Sequence, residues 1–126
     1  MTIEKNSLME WVDLGELPVK GDKTSFYEIP LIIPDEAKEI QVYTWIATGD
    51  CNHNRDVDFA ITVNDDGHKD VGMYMHAVGF TQTAWSYNSQ SSWLPMPHDR
   101  EIRAERKGKE FDGNVGSKVI IVGYKS

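Results

Sequence analysis

The sequence predicts an all-β fold, an antiparallel β-sandwich or jelly roll of about nine strands. Three observations carry that expectation. Apolar residues alternate at strand period along most of the chain, an Asp-Gly turn joins two alternating runs, and turn residues recur at roughly ten-residue spacing.

The first seven residues are polar and read as a flexible N-terminus, leaving 8–126 as a single domain. A first strand is expected over 8–14 and a second over 25–33. Pro30 and Pro34 bracket Leu31, Ile32 and Ile33, and a proline cannot donate to a ladder, so this strand belongs at an edge or a bulge. After Pro34 the spacing allows one helical turn over 35–39. Along 38–48, Ile40, Val42, Thr44 and Ile46 share one face, while Gln41, Tyr43, Trp45 and Ala47 share the other.

The cleanest pattern follows. Val57, Phe59, Ile61 and Val63 alternate with Asp58, Ala60 and Thr62, and Asp66-Gly67 then turns the chain back. The return strand places Val71, Met73, Met75 and Ala77 inward and Tyr74 and His76 outward. Further strands are expected over 80–87, 101–106 and 118–124. Val119, Ile120, Ile121 and Val122 are apolar on both faces, which predicts a central position. So many strands cannot bury their faces in one layer, hence two packed sheets.

Composition narrows the function. The chain of 126 residues is 40% hydrophobic and 26% charged, an ordinary globular balance. With 13 Lys and Arg against 20 Asp and Glu, the net charge of -7 opposes nucleic acid and anionic membranes as partners. A lone cysteine, Cys51, excludes an intramolecular disulfide, so the core alone must hold the sheets. Residues 1–13 contain no apolar stretch of signal-peptide length, and nothing is long enough to span a bilayer. The expectation is a soluble protein, cytoplasmic or secreted after loss of a leader.

The segment 80–100 stands apart. From Trp85 to Trp93 it holds only hydroxyl, amide and aromatic side chains, and Pro95 and Pro97 then stiffen the approach to His98, Asp99 and Arg100. Sugars present C–H faces that stack on aromatic rings and hydroxyls that need amide, carboxylate or guanidinium partners. Trp85, Tyr87, Asn88, Gln90, Trp93, His98, Asp99 and Arg100 are therefore the candidate ligand-binding residues. The competing account is structural: the tryptophans plug the sandwich, and the Asp99 and Arg100 pair caps a turn.

A second candidate is the loop bearing Asp50, Asn52, Asn54, Asp56 and Asp58, whose oxygen ligands at two-residue spacing could wrap calcium. It lacks the glycine and distal acid of an EF-hand, and a hydrophilic strand connection accounts for it equally. His53, His68, His76 and His98 are too scattered for zinc. Glycoside hydrolysis would need two facing carboxylates, for which Asp58 with Asp99 or Glu101 are the candidates.

The leading reading is a non-catalytic, lectin-like carbohydrate-binding domain. Shallow sites gain strength in copies, so a homo-oligomer is expected. Tyr43 and Trp45 bear on this, because they lie on the second face of a strand whose first face is already apolar. The alternatives are a homo-oligomeric interaction domain without a small ligand and, third, a small hydrolase.

Overall fold

The computed structural model describes residues 5–19, 21–49, 55–65, 69–79, 85–107 and 117–126. Eight strands form the fold: β1 (Lys5–Glu16), β2 (Thr24–Glu28), β3 (Glu39–Gly49), β4 (Arg55–Asp65), β5 (Lys69–Gly79), β6 (Trp85–Pro95), β7 (Glu101–Arg106) and β8 (Lys118–Lys125). They make two four-stranded antiparallel sheets, sheet A in the order β1-β8-β3-β6 and sheet B in the order β2-β7-β4-β5. This interleaving of chain order between two sheets is the jelly-roll arrangement. No described helix is long and apolar enough to cross a membrane.

The described residues form eight strands, against the expected count of about nine. β2 ends at Glu28, and residues 31–33 turn instead of continuing it. The reason is the proline pair. Ile33 N–H donates to Pro30 C=O at 3.0 Å and Ala37 N–H to Pro34 C=O at 3.1 Å, so tight turns replace the ladder. Ile33 is fully buried, while Leu31 and Ile32 are exposed. β2 is nevertheless an edge strand, as the prolines imply.

β4 and β5 pair as their alternation predicts, while the Asp66-Gly67 turn lies outside the described residues. Phe59 pairs with Met75, Ile61 with Met73 and Val63 with Val71, with Tyr74 and His76 on the opposite face. Phe59, Ile61, Met73 and Met75 are buried, and Tyr74 is exposed. Gly72 is required by close approach, because a Cβ there would lie 2.0 Å from the carbonyl oxygen of Ile61. β8 is central, hydrogen-bonded to β1 and β3. The chain enters β1 at Lys5, so Asn6 and Ser7 pair with Tyr124 and Gly123.

One core lies between the sheets. Sheet A contributes Ile40, Val42, Ile46, Val119 and Ile121, and sheet B contributes Phe59, Ile61, Val63, Met75, Ile102 and Ala104. Each large side chain removed from water there contributes about 1.5–3 kcal/mol. Two buried polar groups are held by long-range bonds. Thr44 Oγ1 donates to Lys118 C=O at 2.8 Å, and the buried Arg106 donates to Pro18 C=O at 2.8 Å and Gly21 C=O at 3.0 Å.

Tyr27, near the end of β2, is 6% exposed and donates its hydroxyl to Glu16 C=O at 2.6 Å. Burial pushes its pKa up from 10.0 to about 12, with a hydrogen bond to Ser25 opposing. The folded state thus keeps a proton that the unfolded chain loses first, so stability present below pH 10.0 falls as pH rises toward 12. Urea denaturation across that range should show a loss of about 2–3 kcal/mol. In Tyr27→Phe this part of the alkaline loss should disappear, leaving the smaller share of lysines such as Lys118. Phe59→Ala should lower unfolding free energy by about 3–5 kcal/mol, read in the same way.

Candidate functional site

The pleat of β3 sends its two residue sets to opposite sides. With Ile40, Val42, Thr44 and Ile46 buried in the core, Gln41, Tyr43 and Trp45 emerge half-buried on the outer face of sheet A. β1 does the same: Val12 and Leu14 pack on the core, which leaves Trp11 exposed at 62% and Asp13 exposed beside it. The three rings stand in a row. Trp11 and Tyr43 have centroids 5.9 Å apart with planes at 45°, and Tyr43 and Trp45 are again 5.9 Å apart, at 35°.

A groove of about 520 Å³ runs over these rings, bordered also by Asn88, Ser89 and Ile120, with Ile46 beneath. Around it lie polar groups. Lys118 Nζ donates to Asp13 Oδ2 at 2.8 Å, and this contact holds the Asp13 carboxyl below the usual carboxylate range while raising the lysine. At the other end of β3, Lys125 Nζ sits 3.3 Å from Glu39 Oε2 and 4.2 Å from the centroid of Trp93. That arrangement combines ion pairing with a cation–π contact.

Of the segment singled out in the sequence, Trp85–Pro95 forms one long strand. β6 pairs with β3 at every position from Glu39–Pro95 to Gly49–Trp85, so the expected strand over 80–87 is replaced by Trp85–Pro95, with 80–84 outside the described residues. As an edge strand, β6 can be polar because its register comes from β3. Ser89 and Ser91 stand opposite Trp45 and Tyr43 and are exposed on the aromatic face. Asn88 and Gln90 stand opposite Ile46 and Thr44, whose side chains enter the core. Asn88 Nδ2 donates to His76 C=O on β5 at 2.7 Å. Trp85 and Tyr87 pair through backbone with Gly49 and Ala47; their side chains lie outside the described residues.

His98, Asp99 and Arg100 form a turn on another part of the molecule. Arg100 has φ of 55° and donates its N–H to Pro97 C=O at 3.1 Å. Its guanidinium binds Asp35 Oδ1 at 2.7 Å and the carbonyls of Ile29, Pro30 and Ile33 at 3.3, 2.8 and 2.7 Å. Asp99 Oδ1 accepts from Glu101 N–H at 3.1 Å. Both side chains therefore shape backbone, and the structure favours the turn-capping account of this pair. His98 and Arg100 border a polar cavity of about 550 Å³ together with Asp35, Lys38 and Pro97.

The proposed calcium loop falls mostly outside the described residues at Asp50, Asn52 and Asn54. Asp56 pairs with Val78 in β4, and its side chain is not described. Asp58 lies within β4 and bonds His76 Nδ1 across the hairpin. Among the described residues, no three His, Cys, Asp or Glu side chains cluster as a metal site.

The carboxylate pair proposed for hydrolysis is too far apart. β7 runs antiparallel to β4 with Ile102 opposite Val63, whereas Asp58 C=O accepts from Lys107 N–H at 2.9 Å. Asp58 and Glu101 therefore lie six strand positions apart in that register. That is about 20 Å, at about 3.4 Å per residue. Glycosidases need their carboxyls within about 10 Å.

No family model matches this chain, and no curated protein does. It is similar to a solved structure described as "CBM4 structure and function", a carbohydrate-binding module, with 10% sequence identity and a TM-score of 0.40 over 92% of this chain and 70% of that one.

Arg100→Ala should release three carbonyls and Asp35, costing about 2–4 kcal/mol of stability. Arg100 does not line the aromatic groove, so the expected effect on any ligand of that face is nil, checked by thermal melting and titration of the folded variant.

Proposed function

We propose that this chain is a carbohydrate-binding domain without catalysis, and that its site is the aromatic face of sheet A. The observation that carries the reading is the row of Trp11, Tyr43 and Trp45, spaced 5.9 Å apart on an outer sheet face. Rings set this way offer stacking surface for the C–H faces of sugars. Gln41, Ser89 and Ser91 beside them supply donors and acceptors for hydroxyls. A groove of apolar floor with a few placed polar groups is the composition of a ligand site.

The reading keeps the class expected from the sequence and moves its centre. Trp85 and Tyr87, whose backbones pair with Gly49 and Ala47 while their side chains lie outside the described residues, stay in the proposal as candidates from the sequence. Asn88, Asp99 and Arg100 drop out of it, because each is committed to a structural bond. Such an open face binds each ligand weakly, and assembly into a homo-oligomer would strengthen it by presenting several copies.

A glycan array and titration calorimetry test the proposal. Trp11→Ala is the cleanest variant, since a ring 62% exposed contributes little to the core. It should weaken sugar binding at least tenfold, about 1.4 kcal/mol, with an unchanged melting temperature. Trp45→Ala should do the same with a modest stability loss. An array blank at high protein concentration would refute the proposal. Intact sugar binding in both variants would place the site elsewhere.

A further inference from the structure

Building on the carbohydrate-binding reading, we infer that the ligand is a neutral, chain-like glycan that lies across the strands and is gripped along internal sugars, not at a chain end. The topology supports this. The groove draws Trp11 from β1, Ile120 from β8, Tyr43 and Trp45 from β3 and Ser89 from β6. In the order β1-β8-β3-β6 those strands are the full width of sheet A. Three interstrand steps of about 4.8 Å make that width about 14 Å, longer than one sugar ring.

β1 and β6 are also the two edges of the sheet. Among the described residues no further strand of the sheet stands beyond either, so the described groove is open at both edges. A site for a terminal sugar would need an end wall to meet it. The ring planes reinforce the argument, because they tilt by 45° and 35° from one to the next. A flat rigid ligand could lie on only one of them. Successive sugars in a chain rotate about their linkages and can follow the twist of the sheet.

Charge selects against acidic glycans. Each described carboxylate near the platform has its own lysine, Asp13 with Lys118 at 2.8 Å and Glu39 with Lys125 at 3.3 Å. The guanidiniums of Arg100 and Arg106 are committed to loop carbonyls, and Arg103 lies in sheet B with Asp70. A uronic acid would meet no forked cation among the described side chains of this face, on a chain whose net charge is -7.

The test is calorimetric titration of the full chain with linear neutral β-linked gluco-, xylo- and manno-oligosaccharides from monosaccharide to hexasaccharide, and with polygalacturonate. In at least one neutral series, affinity should rise tenfold or more with length and level off once the chain outreaches the groove, with little change between low and high salt. Trp11→Ala should cut hexasaccharide binding and leave the shorter sugars that reach only Tyr43 and Trp45 nearly unaffected. A monosaccharide binding as tightly as its hexasaccharide, or polygalacturonate binding with steep salt dependence, would overturn the inference while leaving sugar recognition intact. If neither the oligosaccharides nor the glycan array gives binding, the underlying carbohydrate reading fails with it.

Discussion

The pleat of β3 ties the interior of this protein to its surface. Ile40, Val42, Thr44 and Ile46 face inward with no exposed area, and this alone fixes Gln41, Tyr43 and Trp45 on the outer side. A register slip of one residue would exchange the two sets. Exposing three branched aliphatics at about 1.5–3 kcal/mol each would consume most of the stability of a domain this size. β3 is also paired along both sides, with β8 and β6. Thr44 adds a polar lock, because its hydroxyl reaches Lys118 C=O, and Lys118 in turn binds Asp13 on β1. Tyr43 and Trp45 therefore take their register from a strand paired on both sides, and Trp11 packs beside them from β1.

Holding two sheets together by a core alone leaves the crossing loops to be satisfied separately. Two arginines at the ends of β7 do this. Arg106 takes carbonyls from Pro18 and Gly21, before β2, and Arg100 takes those of Ile29, Pro30 and Ile33, after it. A buried carbonyl without a donor costs about 1–3 kcal/mol, and a guanidinium with five donors can satisfy several at once. Both ions are committed to backbone carbonyls. The same residue type that makes a sequence look like a sugar or anion site is here consumed by the architecture.

How much of this was legible follows from where each signal resides. The hairpin of β4 and β5 and the central β8 were legible because burial imprints a local alternation on their own residues. β6 was not, because an edge strand of Ser, Asn and Gln has no hydrophobic period, and its register is imposed by β3. The division of that segment into an aromatic-facing and a core-facing set depends on pairings such as Tyr43–Ser91 and Ile46–Asn88, which a local reading does not contain. The backbone partners of Arg100 are hidden from a local reading for a related reason: they lie 67 to 71 residues away. Trp11 was missed although a signal existed. It shares parity with Asp13, while Val12 and Leu14 take the other side, so the alternation already places Trp11 away from the core.

The two outer faces of the sandwich meet the same water and are built differently. On sheet B, His76–Asp58 and Arg103–Asp70 link strands, Lys107–Glu105 pairs along the end of β7, and the exposed Phe26 and Tyr74 stand on the same sheet. Exposed pairs of this kind contribute about 0–1 kcal/mol each, so their main effect is to keep the face soluble. Sheet A places aromatic rings in the corresponding position, which serve solubility less well and add little to the core. What they gain is order. A ring with two rotatable bonds, fixed to a strand whose register the core enforces, loses little entropy when a partner stacks on it. A loop carrying the same aromatic residues would have to be ordered at the moment of binding, whereas this face is already set when the chain folds.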